Sequence, residues 1–239
     1  VGATTITAGS AGLTINDSGY DNTGVAIGQG TGLLTLLAMG LDSDITLTDA
    51  INAAGAVTLS AADSIVAGVD GDITASGALT VTADVGAVGS NSGDVINLAD
   101  GALWNAGNGN ITLMATGDIT LGGLLTMSAA TTAIQVTSLS GAIVDGGDTH
   151  VDARAANGRI VLTAESGVGV GLGAGADAAL EVTASSLDVS VNGSGGIAID
   201  ETDAVTLTDI DTFDGAIVIT AGGTITASDV ASLTDSDVN

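Results

Sequence analysis

The chain has 239 residues, with 37 Gly, no Pro, no Cys and no Lys, and its 28 acidic side chains against two Arg leave a formal net charge of −26. A surface of that sign repels nucleic-acid phosphates and anionic membranes, the lack of Cys excludes a disulfide framework, and an apolar fraction of 45% excludes the low-hydrophobicity composition of disordered chains. Aromatics are limited to Tyr20, Trp104 and Phe213, so the expected core is free of them and made of small aliphatic side chains in thin layers.

In chain order, Val1-Gly2-Ala3-Thr4-Thr5-Ile6-Thr7 opens with glycine followed by alternating apolar and Thr residues. Thr23 to Leu41 is uncharged and long enough to cross a bilayer. Gly24, Gly28, Gly30 and Gly32 lead into its apolar Leu33-Leu34-Thr35-Leu36-Leu37, which reads as a buried strand with a glycine-rich approach. The same alternation returns in Gly55 to Ala61, Gly77 to Ala83, Asn110 to Ala115, Arg159 to Ala164 and Ala216 to Ala221. A second strand starts eight residues after the first in four of these, Val57 to Ile65, Ile111 to Ile119, Ile160 to Val168 and Ile217 to Ile225. The other uncharged run, Ile119 to Val144, alternates apolar residues with Thr and is interrupted by Gly, so it reads as strands and not as a spanning helix.

Within each phrase the period is two. Ile111 and Leu113 are expected to face inward and Thr112 outward, and Val205 and Leu207 inward around Thr206. Asp70-Gly71, Asp100-Gly101, Asn157-Gly158, Asn192-Gly193 and Asp214-Gly215 lie between strands, where such pairs supply positive φ in tight turns. Motif starts fall 22, 32, 23 and 26 residues apart from Val57 to Ile160, with 57 more to Ile217. Coils of that length with two or three short strands define an all-β, right-handed parallel β-solenoid of about ten coils without substantial helix. An antiparallel barrel or sandwich ranks second, because equivalent strands recur at coil spacing and would stack Ile on Ile and Thr on Thr. Residues 1–239 are expected to form a single continuous solenoid, a segment or super-repeat of a longer array, since both ends are in repeat style.

Gly215-Ala216-Ile217-Val218-Ile219-Thr220-Ala221-Gly222-Gly223-Thr224-Ile225-Thr226-Ala227, Ala204 to Asp209 and Ala231 to Asp237 resemble the β-strand repeats of giant secreted bacterial exoproteins, similar in style to filamentous haemagglutinin and large adhesins. The resemblance covers most of the chain. It implies a secreted, extracellular or cell-surface β-solenoid with adhesive or scaffolding work, and it carries over no catalytic residue.

His150 has no second His or Cys to work with, so neither a catalytic pair nor a His-based metal site is expected. Arg154 and Arg159 are expected to pair with nearby acids, and two Arg give a lyase-type groove on a β-helix little to work with. The acidic clusters are Asp42, Asp44 and Asp49; Asp145, Asp148 and Asp152; and Asp200, Glu201 and Asp203 with Asp209, Asp211 and Asp214. Carboxylates at turns are what Ca²⁺ uses, which makes Asp145, Asp148, Asp152, Asp200, Glu201 and Asp203 the candidate cation ligands. The calcium β-roll repeat is absent, because Gly195-Gly196-Ile197-Ala198-Ile199-Asp200 lacks the third Gly. No cofactor is required by this reading. The pairs Thr5/Thr7, Thr46/Thr48, Thr80/Thr82 and Thr206/Thr208 raise an ice-surface reading, which Ser60 and Met114 interrupt. The expectation is a non-enzymatic rod segment of an extracellular fibre, adhesin or surface layer, with further coils or identical subunits as end-to-end partners. The alternative is a carbohydrate- or ice-surface-binding module whose partners are surface glycans or ice. No transmembrane segment is expected.

Overall fold

Alternation along each strand becomes alternation between core and surface. In strand Ile111–Ala115, Ile111, Leu113 and Ala115 are fully buried while Thr112 is half-buried and Met114 exposed. Val205 and Leu207 are likewise buried around a half-buried Thr206. The computed structural model describes residues 2–17, 25–84, 94–147, 150–169 and 178–234, and Tyr20 lies outside them. Those residues contain 24 strands and no helix.

Three faces repeat along the chain. The first stacks Thr4–Ala8, Leu34–Ala38, Val57–Ala61, Leu79–Ala83, Ile111–Ala115 and Ile134–Ser138. The second stacks Leu13–Ile15, Ile45–Leu47, Ile65–Ala67, Ile96–Leu98, Ile119–Leu121 and Ile143–Asp145 as a six-stranded sheet. The third stacks Val25–Gln29, Ala50–Ala53, Ile73–Ala75, Trp104–Asn105 and Leu124–Leu125. The long strands Ala153–Ala164 and Leu180–Ser194 run from the third face round a corner onto the first, which merges those two faces into one 18-stranded sheet. The pairings among the described strands are parallel throughout, so the fold is a parallel β-solenoid and not an antiparallel barrel or sandwich. It has about eight turns, slightly fewer than the ten coils expected. Of the final strands, Ile217–Ala221 packs Ile217, Ile219 and Ala221 against the core, while Ile225–Ala227 is exposed and Val230–Ser232 partly so.

Equivalent positions stack into ladders. Leu36, Leu59, Val81, Leu113, Val136, Leu162, Val189 and Ile210 form one inward column, each paired in register with the next and each fully buried. Burial of each such side chain contributes roughly 1.5–3 kcal/mol, and this repetition replaces the thick core of a globular domain. The described parts of the two uncharged runs lie in these ladders as strands and their connecting turns, with Thr23 and Gly24 outside the described residues, and no helix among the described residues is long and apolar enough to cross a membrane.

Three features differ from expectation. Trp104 is in the core, fully buried between Ile73 and Leu124 of the third face. Its sequence neighbours facing inward are the small Ala102 and Ala106, and its Nε1 donates to the Gly71 carbonyl at 3.0 Å, so the one polar atom of the indole is satisfied. The phrase beginning at Ile217 is out of phase: Ile217 stacks on Ile197 and through it on Val168 of the second face, while Ile225 stacks on Val205 of the first. Of the five turn glycines expected at positive φ, only Gly101 has it, at 91°. Gly71, Gly158, Gly193 and Gly215 are required for a different reason. A Cβ there would meet a backbone carbonyl of the preceding coil, that of Leu47 at 2.6 Å from Gly71 and that of Glu165 at 2.6 Å from Gly193.

Candidate functional site

Acidic side chains divide into those that hold the coils together and those that do not. Several turn carboxylates accept a backbone amide from the next coil: Asp44 from Ser64 at 3.0 Å, Asp72 from Leu103 at 2.7 Å and Asp118 from Ala142 at 2.8 Å. Asp49 accepts the Asp17 amide at 2.7 Å. Such charge-assisted bonds tie one coil to its neighbour where strand pairing lapses. Two members of the first acidic cluster, Asp44 and Asp49, are thereby committed to structure.

Asp145, Asp152 and Glu181 are arranged differently. Asp145 ends a second-face strand and stacks on Leu121. Asp152 directly precedes Ala153–Ala164, is fully buried, and has its carbonyl bonded by the Leu124 amide at 2.7 Å. Glu181 belongs to the next coil, where its amide donates to Asp152 Oδ2 at 2.9 Å and its carbonyl accepts the Asp152 amide at 2.8 Å. One carboxylate oxygen from each residue lies within 4.8 Å of the others. Both carboxylate oxygens of Asp145 are buried, and neither accepts a hydrogen bond. Asp148 lies outside the described residues. Glu181 escaped the sequence reading because it is 29 residues from Asp152 and stands alone among apolar and Thr neighbours.

Asp200, Glu201 and Asp203 do not converge. Strand alternation turns Asp200 outward and Glu201 inward, and Asp203 is exposed. The Glu201 carboxylate accepts the Ala184 amide at 3.1 Å and the Asp203 amide at 3.4 Å. Burial pushes it up to about 7, although those two amides pull the other way and the Asp203 charge adds to the rise. Asp94, buried before strand Ile96–Leu98, is also pushed up to about 7, first by burial and then by hydrogen bonding and charge from Asp63 and Asp84. Burial, then the charges of Asp211, Asp188 and Asp229, also raises Asp209.

These shifts set a pH dependence with an unusual sign. A carboxyl whose folded pKa lies above its unfolded value binds a proton more tightly when folded. The stability it contributes is complete below the ordinary 3.8 of Asp94 and is lost as pH rises toward 7. Asp94→Asn is therefore expected to raise unfolding stability at pH 8 by about 2–4 kcal/mol, the upper end being the full shift from 3.8 to about 7 and the lower end allowing for solvent screening, and to change it little at pH 4. Urea denaturation at the two pH values measures the difference, and an equal effect at both would show that Asp94 ionises freely in the fold.

Arg154 is exposed on the strand Ala153–Ala164. Arg159 Nη1 lies 3.2 Å from Asp188 Oδ2, and Arg159 Nε donates to the Thr131 carbonyl at 2.7 Å. His150 Nδ1 is 3.9 Å from Asp100 Oδ1, with both side chains exposed. On the first face Thr5, Thr35, Thr58, Thr80 and Thr112 form an outer column, but the parallel column runs Thr7, Leu37, Ser60, Thr82, Met114. Thr46 is on the second face, and the Thr48 and Thr208 hydroxyls donate to the carbonyls of Ile15 at 3.0 Å and Leu187 at 2.6 Å. The four Thr pairs therefore do not share one plane. Compared with protein-family models, curated proteins and solved structures, the chain matches none.

Proposed function

We propose that this chain is a rod segment of an extracellular fibre, adhesin or surface layer, continued by further coils or by identical subunits placed end to end. The observation that carries the reading is the stack of parallel coils itself, whose inward column from Leu36 to Ile210 is fully buried and whose last described rung is formed by Ile225–Ala227 and Val230–Ser232. Ile225 is 41% and Val230 44% exposed, whereas Val205 and Ile210, on which they stack, are 3% and 0% exposed. Another coil laid on this rung would bury the same column and pair the open strand edge. A head-to-tail contact of that kind is open and builds filaments. The acidic sides favour growth along the axis over lateral clumping, because like charges repel. A rod with this role needs no converging catalytic groups, and the resemblance to exoprotein repeats points the same way. The interrupted Thr columns weigh against an ice-surface module.

Sedimentation velocity and negative-stain microscopy of the 239-residue chain test the reading. The expected result is concentration-dependent, end-to-end association that the double substitution Ile225→Asp, Val230→Asp abolishes while leaving the β-rich circular dichroism intact. A strictly monomeric rod at high concentration would count against it.

A further inference from the structure

We propose that Asp145, Asp152 and Glu181 form a binding site for a divalent cation of the Ca²⁺ class. Three successive passes of the chain deliver the ligands: a second-face strand, the entry to the next third-face strand, and the coil above it. Oxygens bound at about 2.4 Å to one Ca²⁺ lie at most about 4.8 Å apart, and one oxygen from each of the three carboxylates falls within that limit here.

The second observation is Asp145 itself. Both of its oxygens are shut off from solvent and neither accepts a hydrogen bond, although the turn carboxylates elsewhere take amides from the next coil. A buried carboxylate left without a donor is costly, and two more carboxylates beside it add repulsion. A hard dication would neutralise the cluster and supply what the Asp145 oxygens lack. The chain has no Lys, Arg159 lies beside Asp188, and the side chains of Arg154 and His150 are exposed at the surface. Because the ligands come from different coils, the bound ion would staple them together, so binding and coil stability are linked.

The test is thermal unfolding of the 239-residue chain with CaCl₂, against NaCl at equal ionic strength, together with calorimetric titration of Ca²⁺. At Ca²⁺ about a hundredfold above its dissociation constant, the midpoint is expected to rise about 5–10 °C beyond the NaCl control, with one ion bound at this site. Salt screening alone raises both samples equally, because a net charge of −26 is self-repelling. Asp145→Asn and Glu181→Gln, made separately, are expected to remove the Ca²⁺-specific rise and to leave the metal-free midpoint unchanged or higher, since each relieves repulsion. A Ca²⁺ response no larger than that of NaCl overturns the proposal. So does a Ca²⁺-specific rise that survives in both variants, which would place binding on other acids.

Discussion

Leu113→Asp is expected to abolish the fold around its rung and to cost more than about 4 kcal/mol, because it places an unpaired carboxylate in a dry aliphatic column. Leu113 is fully buried and paired in register with Val81 on one side and Val136 on the other. It has no polar neighbour in that column to share the charge. Leu113→Ala, which leaves a cavity without a charge, is expected to cost about 2–5 kcal/mol. Thr112→Ser, on the outer side of the same strand, is expected to stay within about 0.5 kcal/mol. A solenoid is coupled mainly between neighbouring coils, so the damage should be local at first. Hydrogen exchange should show protection lost in Leu79–Ala83, Ile111–Ala115 and Ile134–Ser138 before it is lost in Val57–Ala61. Equal costs for Leu113→Asp and Thr112→Ser would refute the inside–outside assignment.

Gly109→Ala should rival a core truncation, at about 2–4 kcal/mol, although it adds one methyl at a turn. Gly32, Gly55, Gly77 and Gly109 each precede a first-face strand and pack on the turn of the coil before. A Cβ on Gly55 would lie 2.5 Å from the Gly32 carbonyl oxygen, and one on Gly109 would overlap the Gly77 carbonyl carbon and the Ala78 amide nitrogen. Backbone atoms cannot swing aside as a side chain can, so relief requires the two coils to separate and weakens the strand pairing on both sides. Two other glycines isolate the cause. Gly147 has φ of 98° and open space around its missing Cβ, so Gly147→Ala tests conformational strain alone and is expected to cost about 1 kcal/mol. Gly28 has open space and no positive φ, and Gly28→Ala is expected to be neutral or slightly stabilising. Denaturant melts of the three variants rank them directly, and a Gly109→Ala as benign as Gly28→Ala would mean that the turns are not in contact.

Much of the architecture is local and was therefore legible in the residues. The inward Ile111, Leu113, Val205 and Leu207 follow from the two-residue pleat, and the parallel stacking follows from equivalent phrases recurring at coil spacing. The offset of eight from Val57 to Ile65, from Ile111 to Ile119 and from Ile160 to Val168 does separate first-face from second-face positions. The same offset at Ile217 and Ile225 misleads, because wording that reads alike occupies another face once the corner at residues 194–197 changes the phase.

Tertiary structure decided whatever depends on how one coil sits on the next. Acidic composition made Asp145 and Asp152 candidates, but only the stacking of coils brought Glu181 to them. Turn chemistry explained glycine by positive φ, whereas most of the five turn glycines answer to a carbonyl one coil away. Trp104 read as an outlier in a chain of small aliphatics until Ile73, Leu124 and the Gly71 carbonyl were around it. The physical reason is common to all of these. A strand's pleat is set by neighbours one and two residues away, whereas ligand sets, close backbone approaches and ring burial are set by residues about 20–30 positions apart, whose register depends on corner geometry that side-chain alternation does not encode.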